Sequence, residues 1–192
     1  MNNKELVWKN IRLKPYEKRD FDFVYKCYQD YDSRPLFTND FNIISRDEFV
    51  DYIDKKANYS FHDFMIIIDV LTNLPIGFIY TYNFNRQNDY IFFAIYLEKK
   101  SRNNMNVAVT SMIFFNYIFK YYPMRSTQPD FAPAYCSLFD YNNISKKVLK
   151  TAGFQLEGCL KQYRYFNREY HDMSIYALFR NEFYNLKQKL KG

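Results

Sequence analysis

Between Phe64 and Leu97 the sequence passes through three strand-forming stretches with a turn after each of the first two, and this restricts the chain to folds built on an antiparallel meander. The first stretch, residues 64–70, is apolar throughout except at Asp69. A strand with one wet face alternates apolar and polar residues, whereas a solid run suits a central strand covered on both faces. Asn73 and Pro75 then supply a turn into residues 76–84, and residues 86–89 turn the chain again into Tyr90–Leu97.

Helical spacing supplies the cover. Ile11-Arg12-Leu13 reads as a short first strand stopped at Pro15, and residues 16–30 place Phe21, Val24, Tyr25 and Tyr28 at helical intervals. Ser45 followed by Glu48 forms a capping box that opens a second helix to about Lys56, with Phe49, Tyr52 and Ile53 inward. Residues 105–121 are the longest helix candidate, with Met105, Ala108, Val109, Met112, Ile113 and Phe115 on one broad face, and Tyr121-Tyr122-Pro123 ends it. A loop over 125–133 leads into a strand at 134–139. A helix follows from about Asn142 to Ala152, closed by Gly153 at the position where a left-handed conformation is easiest for glycine. The chain ends in a hairpin, 154–165 and 170–180, turning near Asn167-Arg168. The expected class is α/β (α+β), a mixed, mostly antiparallel sheet flanked by helices in the order β-α-α-β-β-β-α-β-α-β-β. Without repeats, low-complexity tracts or Pro/Gly-rich linkers, residues 1–192 are expected to form one domain.

The core is expected to be aromatic, because 20 Tyr, 20 Phe and one Trp make up 21% of the chain. The formal charge is +6, concentrated late: residues 1–100 carry 14 basic and 15 acidic side chains, residues 101–192 carry 13 and 6. A basic second half suits an anionic ligand. Cys27, Cys136 and Cys159 are widely spaced and the only histidines are His62 and His171, so no metal site is expected. The first residues lack an apolar signal segment and no stretch is long enough to span a bilayer, which points to a cytoplasmic protein without membrane contact.

The most specific stretch is Asn142-Asn143-Ile144-Ser145-Lys146-Lys147-Val148-Leu149-Lys150-Thr151-Ala152-Gly153-Phe154, followed by Glu157-Gly158, Asn167, Tyr170, Asp172, Tyr176, Leu178, Arg180 and Glu182. It resembles the N-x-x-S-x-x-V-L-x-x-x-G-F segment and tail of the GNAT (Gcn5-related N-acetyltransferase) superfamily, in the branch related to ribosomal-protein N-terminal acetyltransferases. Ile11-Arg12-Leu13-Lys14-Pro15 and Pro75-Ile76-Gly77 are similar to that branch's first and third strands, so the resemblance spans essentially the whole chain. It implies acetyl-CoA as acyl donor, Ile95, Tyr96 and Leu97 alongside the pantetheine, Asn142 on the pantetheine arm and Ser145 near the sulfur. Read as residues alone, Asn142 and Ser145 are equally good helix N-caps.

The departure lies in the loop that holds the cofactor diphosphate, R/Q-x-x-G-x-G/A in the family. Its counterpart here is Arg102-Asn103-Asn104-Met105-Asn106-Val107, with both glycine positions filled. The chain's four glycines, 77, 153, 158 and 192, lie elsewhere. Asparagine tolerates unusual φ and can bond phosphate, so Asn103, Asn104 and Asn106 are expected to compensate in part.

As an enzyme the chain would transfer acetyl from acetyl-CoA to a primary amine: a small amine, an amino sugar or a protein N-terminus. Ser145 is the expected proton or hydrogen-bond donor to the departing thiolate, with Tyr135 or Tyr141 as the competing choice. Asp172, Asp89 and Glu98 are open candidates for the base. His171 and Asp172, adjacent on a strand, would point to opposite faces and make a poor dyad. Tyr28, Tyr31, Phe37, Tyr163 and Tyr165, with Asp30, Asp32 and Asp40 close by in sequence, are expected to line the acceptor entrance. The alternative is a non-catalytic binding protein of the same fold that has lost the phosphate loop. A nucleic-acid partner is not expected, since no basic cluster or RNA-binding signature is present. The fold's common homodimer through the C-terminal strands stays open, with no residue arguing for it.

Overall fold

A computed structural model describes residues 6–38, 45–56, 61–85, 87–121 and 133–189, so Asp40, Arg86 and the 125–132 part of the expected loop lie outside the described residues. The chain groups into two compact units, Met1–Asn83 with Phe93–Lys120, and Phe84–Phe92 with Tyr121–Gly192.

In the first unit β1 (Val7–Trp8) and β2 (Ile11–Pro15) pair antiparallel. β2 pairs with β3 (Phe61–Asp69) from Ile11↔Asp69 to Pro15↔Met65, and β3 pairs antiparallel with β4 (Pro75–Asn85). Met65, Ile66, Ile67 and Ile68 are all buried, as the solid apolar run requires. Ile66 and Ile68 join Val24, Cys27 and Tyr28 of α1 (Phe21–Tyr28) and Phe49 and Ile53 of α2 (Arg46–Lys55) in one core. Strand alternation sends Met65 and Ile67 to the other face. On β5 (Tyr90–Leu97), Ala94 and Tyr96 face the first core, and Phe93, out of step with them, packs edge-on against Phe115 of α3 (Asn104–Tyr121) at 4.9 Å.

The core is aromatic, as composition led us to expect. Phe78 stacks on Tyr96 at 5.1 Å, Phe37 meets Tyr96 edge-on at 4.8 Å, and Tyr28 meets Phe49 at 5.0 Å. Each such pair adds roughly 0.5–1.5 kcal/mol to area burial. The Ser45–Glu48 capping box is present with both bonds made. α1 starts later than its spacing suggested because Tyr16 N–H donates to the Phe64 carbonyl at 2.8 Å and its ring stacks on Phe64 at 4.8 Å, which holds Tyr16 on the sheet. A 3-10 turn, Lys18–Asp20, then leads into the helix.

In the second unit Ile91 and Phe92 of β5 pair in parallel with Ala134 and Tyr135 of β6 (Pro133–Phe139). α4 (Asn143–Thr151) follows and ends at Gly153, whose φ of 82° matches the expected left-handed cap. β7 (Gln155–Phe166) and β8 (Glu169–Phe179) form the expected hairpin, with Asn167 and Arg168 both at positive φ in a two-residue turn. β8 pairs antiparallel with β6 from Pro133↔Phe179 to Phe139↔Met173. The structure adds β1 and a terminal helix, α5 (Arg180–Lys189), to the expected order. α5 is mostly polar and is anchored by Phe183, which is 1% exposed, so its sequence carried no broad apolar stripe. The strand order is β1-β2-β3-β4-β5-β6-β8-β7, with the β5–β6 pair parallel.

Candidate active site

In the first unit the loop between β5 and α3 is tied to the strand it leaves. Arg102 Nε and Nη2 donate to the Leu97 carbonyl at 3.2 and 2.9 Å, and Nη2 also donates to Ser33 Oγ at 3.0 Å. The guanidinium lies 5.8 Å from the Tyr96 ring centroid. A Cβ built on Gly77 of β4 would lie 2.1 Å from the Tyr96 carbonyl oxygen, so the β5 backbone occupies space that any side chain would need. Tyr96 and Leu97 are buried and Ile95 is half-buried. Burial, then the nearby Cys27, pushes the Tyr96 hydroxyl above its ordinary range, and burial pushes the Cys27 thiol up to about 12.

Two of the three loop asparagines serve the loop itself. Asn103 caps α3 by accepting from Asn106 N–H at 2.8 Å, and its carbonyl accepts from Val107 N–H at 3.1 Å. Asn106 Nδ2 donates to the Ser101 carbonyl at 2.9 Å, while its Oδ1 accepts from Asn10 Nδ2 at 3.2 Å. The Asn104 side chain is exposed, and the backbone N–H groups of Asn104 and Met105 meet no acceptor among the described residues. None of residues 102–107 has a positive φ. Met105 and Val107 therefore occupy the two glycine positions of the resemblance without backbone strain. Met105 is 55% exposed, with Lys9 Nζ 3.8 Å from its sulfur. What this loop offers is the first turn of an 18-residue helix with two uncommitted N–H donors, walled by Met105.

In the second unit Asn142, 8% exposed, caps α4: its side chain accepts from Ser145 N–H at 3.3 Å. The Ser145 side chain is half-buried. Tyr135 pairs with Phe92 across the strands, its ring 5.3 Å from that of Phe92 and 5.8 Å from that of Tyr90. Burial, with Glu157 adding, raises its hydroxyl above the ordinary range. Tyr135 lies four residues before the end of β6, and Ser145 lies in the first turn of α4. Tyr141 lies beside the α4 cap and accepts from Arg164 Nη1 at 2.8 Å. Burial raises its hydroxyl to about 12, against the pull of Arg164.

His171 and Asp172 do not meet. Asp172 accepts from Lys161 Nζ at 2.7 Å and Gln162 N–H at 2.9 Å, whereas His171 Nδ1 lies 2.8 Å from Asp140 Oδ1. Nothing in the spacing of Asp140 and His171 could have announced that pair. Glu98 is engaged with Lys26 at 3.2 Å and Lys100 at 3.4 Å, and Asp89 is a turn residue at φ 50°. Tyr28 and Phe37 do not line an entrance: at 5% and 8% exposed they are packed in the first unit's core. Tyr31, Tyr163 and Tyr165 are exposed. Cys136 is buried on β6 and its thiol is raised by that burial, which removes it as a nucleophile.

No family model matches the sequence, and no curated protein matches it. Solved structures do match in fold. A spermidine N-acetyltransferase from Vibrio cholerae in complex with CoA and spermine has a TM-score of 0.79 at 15% identity, over 91% of this chain and 98% of its own. A ribosomal L7/L12 alpha-N-protein acetyltransferase in complex with coenzyme A has a TM-score of 0.73 at 16% identity, over 90% and 96%. A GCN5-related N-acetyltransferase from Brucella melitensis has a TM-score of 0.73 at 19% identity, over 95% and 81%. The chain has the GNAT fold.

Proposed function

We propose, taking the GNAT fold as premise, that this chain is an acetyl-CoA-dependent N-acetyltransferase acting on a primary amine. The observation that carries the reading is the start of α3, where the Asn104 and Met105 N–H groups are uncommitted and the backbone is ordinary helix. Phosphate needs donors at a helix N-terminus rather than glycine as such, and glycine is required only where φ is positive or the wall must be thin. Arg102, Asn103 and Asn106 keep that turn in shape, and Met105 and Val107 form a bulkier wall. The edge of β5 at Ile95, Tyr96 and Leu97 would hold the pantetheine, and Asn142 would hold the start of α4.

In the reaction the neutral amine nitrogen attacks the thioester carbonyl, the C–S bond breaks, the amine loses a proton and the thiolate gains one. Ser145 is assigned the donor role to the thiolate, and Tyr135 is the competing choice. The structural neighbours named for spermidine and for a ribosomal protein terminus support an amine acceptor, small or peptidic. No helix among the described residues is long and apolar enough to cross a membrane, and we assign the activity to the cytoplasm, where acetyl-CoA is made available.

A second reading, a non-catalytic binding protein of this fold, is favoured by one observation: the Arg102 and Asn106 side chains are spent on holding the loop. Calorimetric titration with acetyl-CoA, followed by a turnover assay against polyamines, amino sugars and peptides with free N-termini, separates the two. Binding with turnover of at least one amine is the expected result. No heat and no thermal stabilisation at millimolar acetyl-CoA would overturn the first reading.

A further inference from the structure

The turn between β6 and α4 is fastened to the β7–β8 hairpin by a polar cluster centred on Asp140 and His171, to which the acetyl-transfer scheme gives no role. Asp140 N–H donates to the Asp172 carbonyl at 3.0 Å, and Asp172 N–H donates back to Asp140 Oδ2 at 3.1 Å. Asp140 Oδ1 faces His171 Nδ1 at 2.8 Å, and the other ring nitrogen, Nε2, faces the Phe166 carbonyl at 3.1 Å. Lys146 of α4 donates to the Asp140 carbonyl at 3.2 Å. Tyr141 stands edge-on to the His171 ring at 4.9 Å and takes the Arg164 bond described above.

Each charged group around the pair has its own work. Lys161 neutralises Asp172, Arg164 is drawn to Tyr141, and Lys146 caps the Asp140 carbonyl. The His171 side chain is 14% exposed, so the ring is held between strands rather than waving in solvent. Burial works against an ionised Asp140, but the Asp172 N–H, His171 and the Tyr141 N–H together hold its carboxyl below the usual range. A carboxylate and a carbonyl both only accept, so each ring nitrogen bonds its partner, Asp140 or Phe166, only as a donor. Two residues further on, Asn142 caps α4 and accepts from Ser145 N–H. The chain from Asp140 to Ser145 is therefore one short path, hydrogen-bonded at Asp140 and again at Asn142.

We propose that His171 and Asp140 are a positioning pair: their bond holds the 140–142 turn and, through the Asn142 cap, fixes where the first turn of α4 presents Ser145. Its catalytic meaning rests on the acetyl-transfer reading, whereas its structural content does not. Neither residue touches the reacting atoms in this scheme.

Two substitutions separate the two ring bonds. His171→Asn keeps a donor near the Nδ1 position, toward Asp140, and His171→Gln keeps one near Nε2, toward Phe166. Hydrogen exchange at the Ser145 and Lys146 amides should quicken in His171→Gln and Asp140→Ala and stay near wild type in His171→Asn. In the turnover assay kcat should fall by about tenfold or more in the first two, with the KM for acetyl-CoA little changed and His171→Asn largely restored. Unaltered exchange at Ser145 and Lys146 in both His171→Gln and Asp140→Ala would overturn the proposal. An equal loss of global stability in all three variants would do so too, since it would show general packing instead of a directed bond. Quickened exchange in a protein that acetylates no amine would leave the positioning pair standing and remove the enzymatic reading alone.

Discussion

The Arg102 guanidinium is joined to the Leu97 carbonyl, with Nη2 at 2.9 Å and Nε at 3.2 Å, so the residue that opens the candidate phosphate loop also fastens the end of β5. A forked donor suits this contact, because one planar group reaches the carbonyl and Ser33 Oγ together. Arg102→Ala should lower stability by about 1–3 kcal/mol in addition to any loss of acetyl-CoA affinity. Arg102→Lys, a single point donor, should restore only part of it. Thermal unfolding without ligand is the measurement, and an unchanged midpoint for Arg102→Ala would show that the clamp contributes nothing.

Gly77 and Gly158 should respond in opposite ways to the same added methyl group. At Gly77 the Cβ would fall 2.1 Å from the Tyr96 carbonyl, while at Gly158 nothing lies within 4 Å. Gly77→Ala must push β5 away and is expected to cost about 3 kcal/mol or more. Gly158→Ala should stay within about 0.5 kcal/mol of wild type. Urea unfolding of the two variants checks this, and similar midpoints would contradict the close approach at Tyr96.

In the proposed acetyl transfer Ser145 and Tyr135 compete for the same role, and kinetics tells them apart. Loss of a positioned proton donor lowers turnover by roughly a hundredfold or more without a matching change in binding. Ser145→Ala should show that pattern, with acetyl-CoA affinity retained because Asn142 still caps α4 through its own side chain. Tyr135→Phe should leave kcat within about threefold of wild type, since its ring packing against Phe92 and Tyr90 survives. The reverse ranking would hand the role to Tyr135.

The three cysteines should separate cleanly in a native alkylation experiment. Cys27 and Cys136 are buried, and burial pushes the Cys27 thiol up to about 12 and raises the Cys136 thiol as well. The thiolate is the reactive species, so both should stay unmodified in the folded protein at pH 8. Cys159 is exposed on β7 and should label alone. Mass spectrometry before and after denaturation tests this, and native labelling of Cys136 would show that β6 opens readily.

Much of the framework was legible because its signals are local. The Ser45–Glu48 box, Gly153 at the end of α4 and the two-residue Asn167-Arg168 turn each act over a few residues, and each is present. The solid run through Met65–Ile68 announced burial on both faces, because no other environment removes so much apolar surface from water. The helix α5 is not legible for the complementary reason: a polar segment held by Phe183 has little periodicity. Tyr28 and Phe37 suit a cleft as well as a core by residue type, and only packing chose the core.

At the candidate site the division is sharper. The sequence by itself determined the order of elements, the helix caps and the absence of glycine from residues 102–107, since these follow from residue type and near neighbours. Tertiary structure alone decided what that absence costs. It set φ negative through the loop, turned Arg102 back onto Leu97 and brought His171 to Asp140 across 31 positions. Such contacts depend on how distant strands close on one another, and a hydrogen bond between far-separated residues leaves no periodic trace in the chain that makes it.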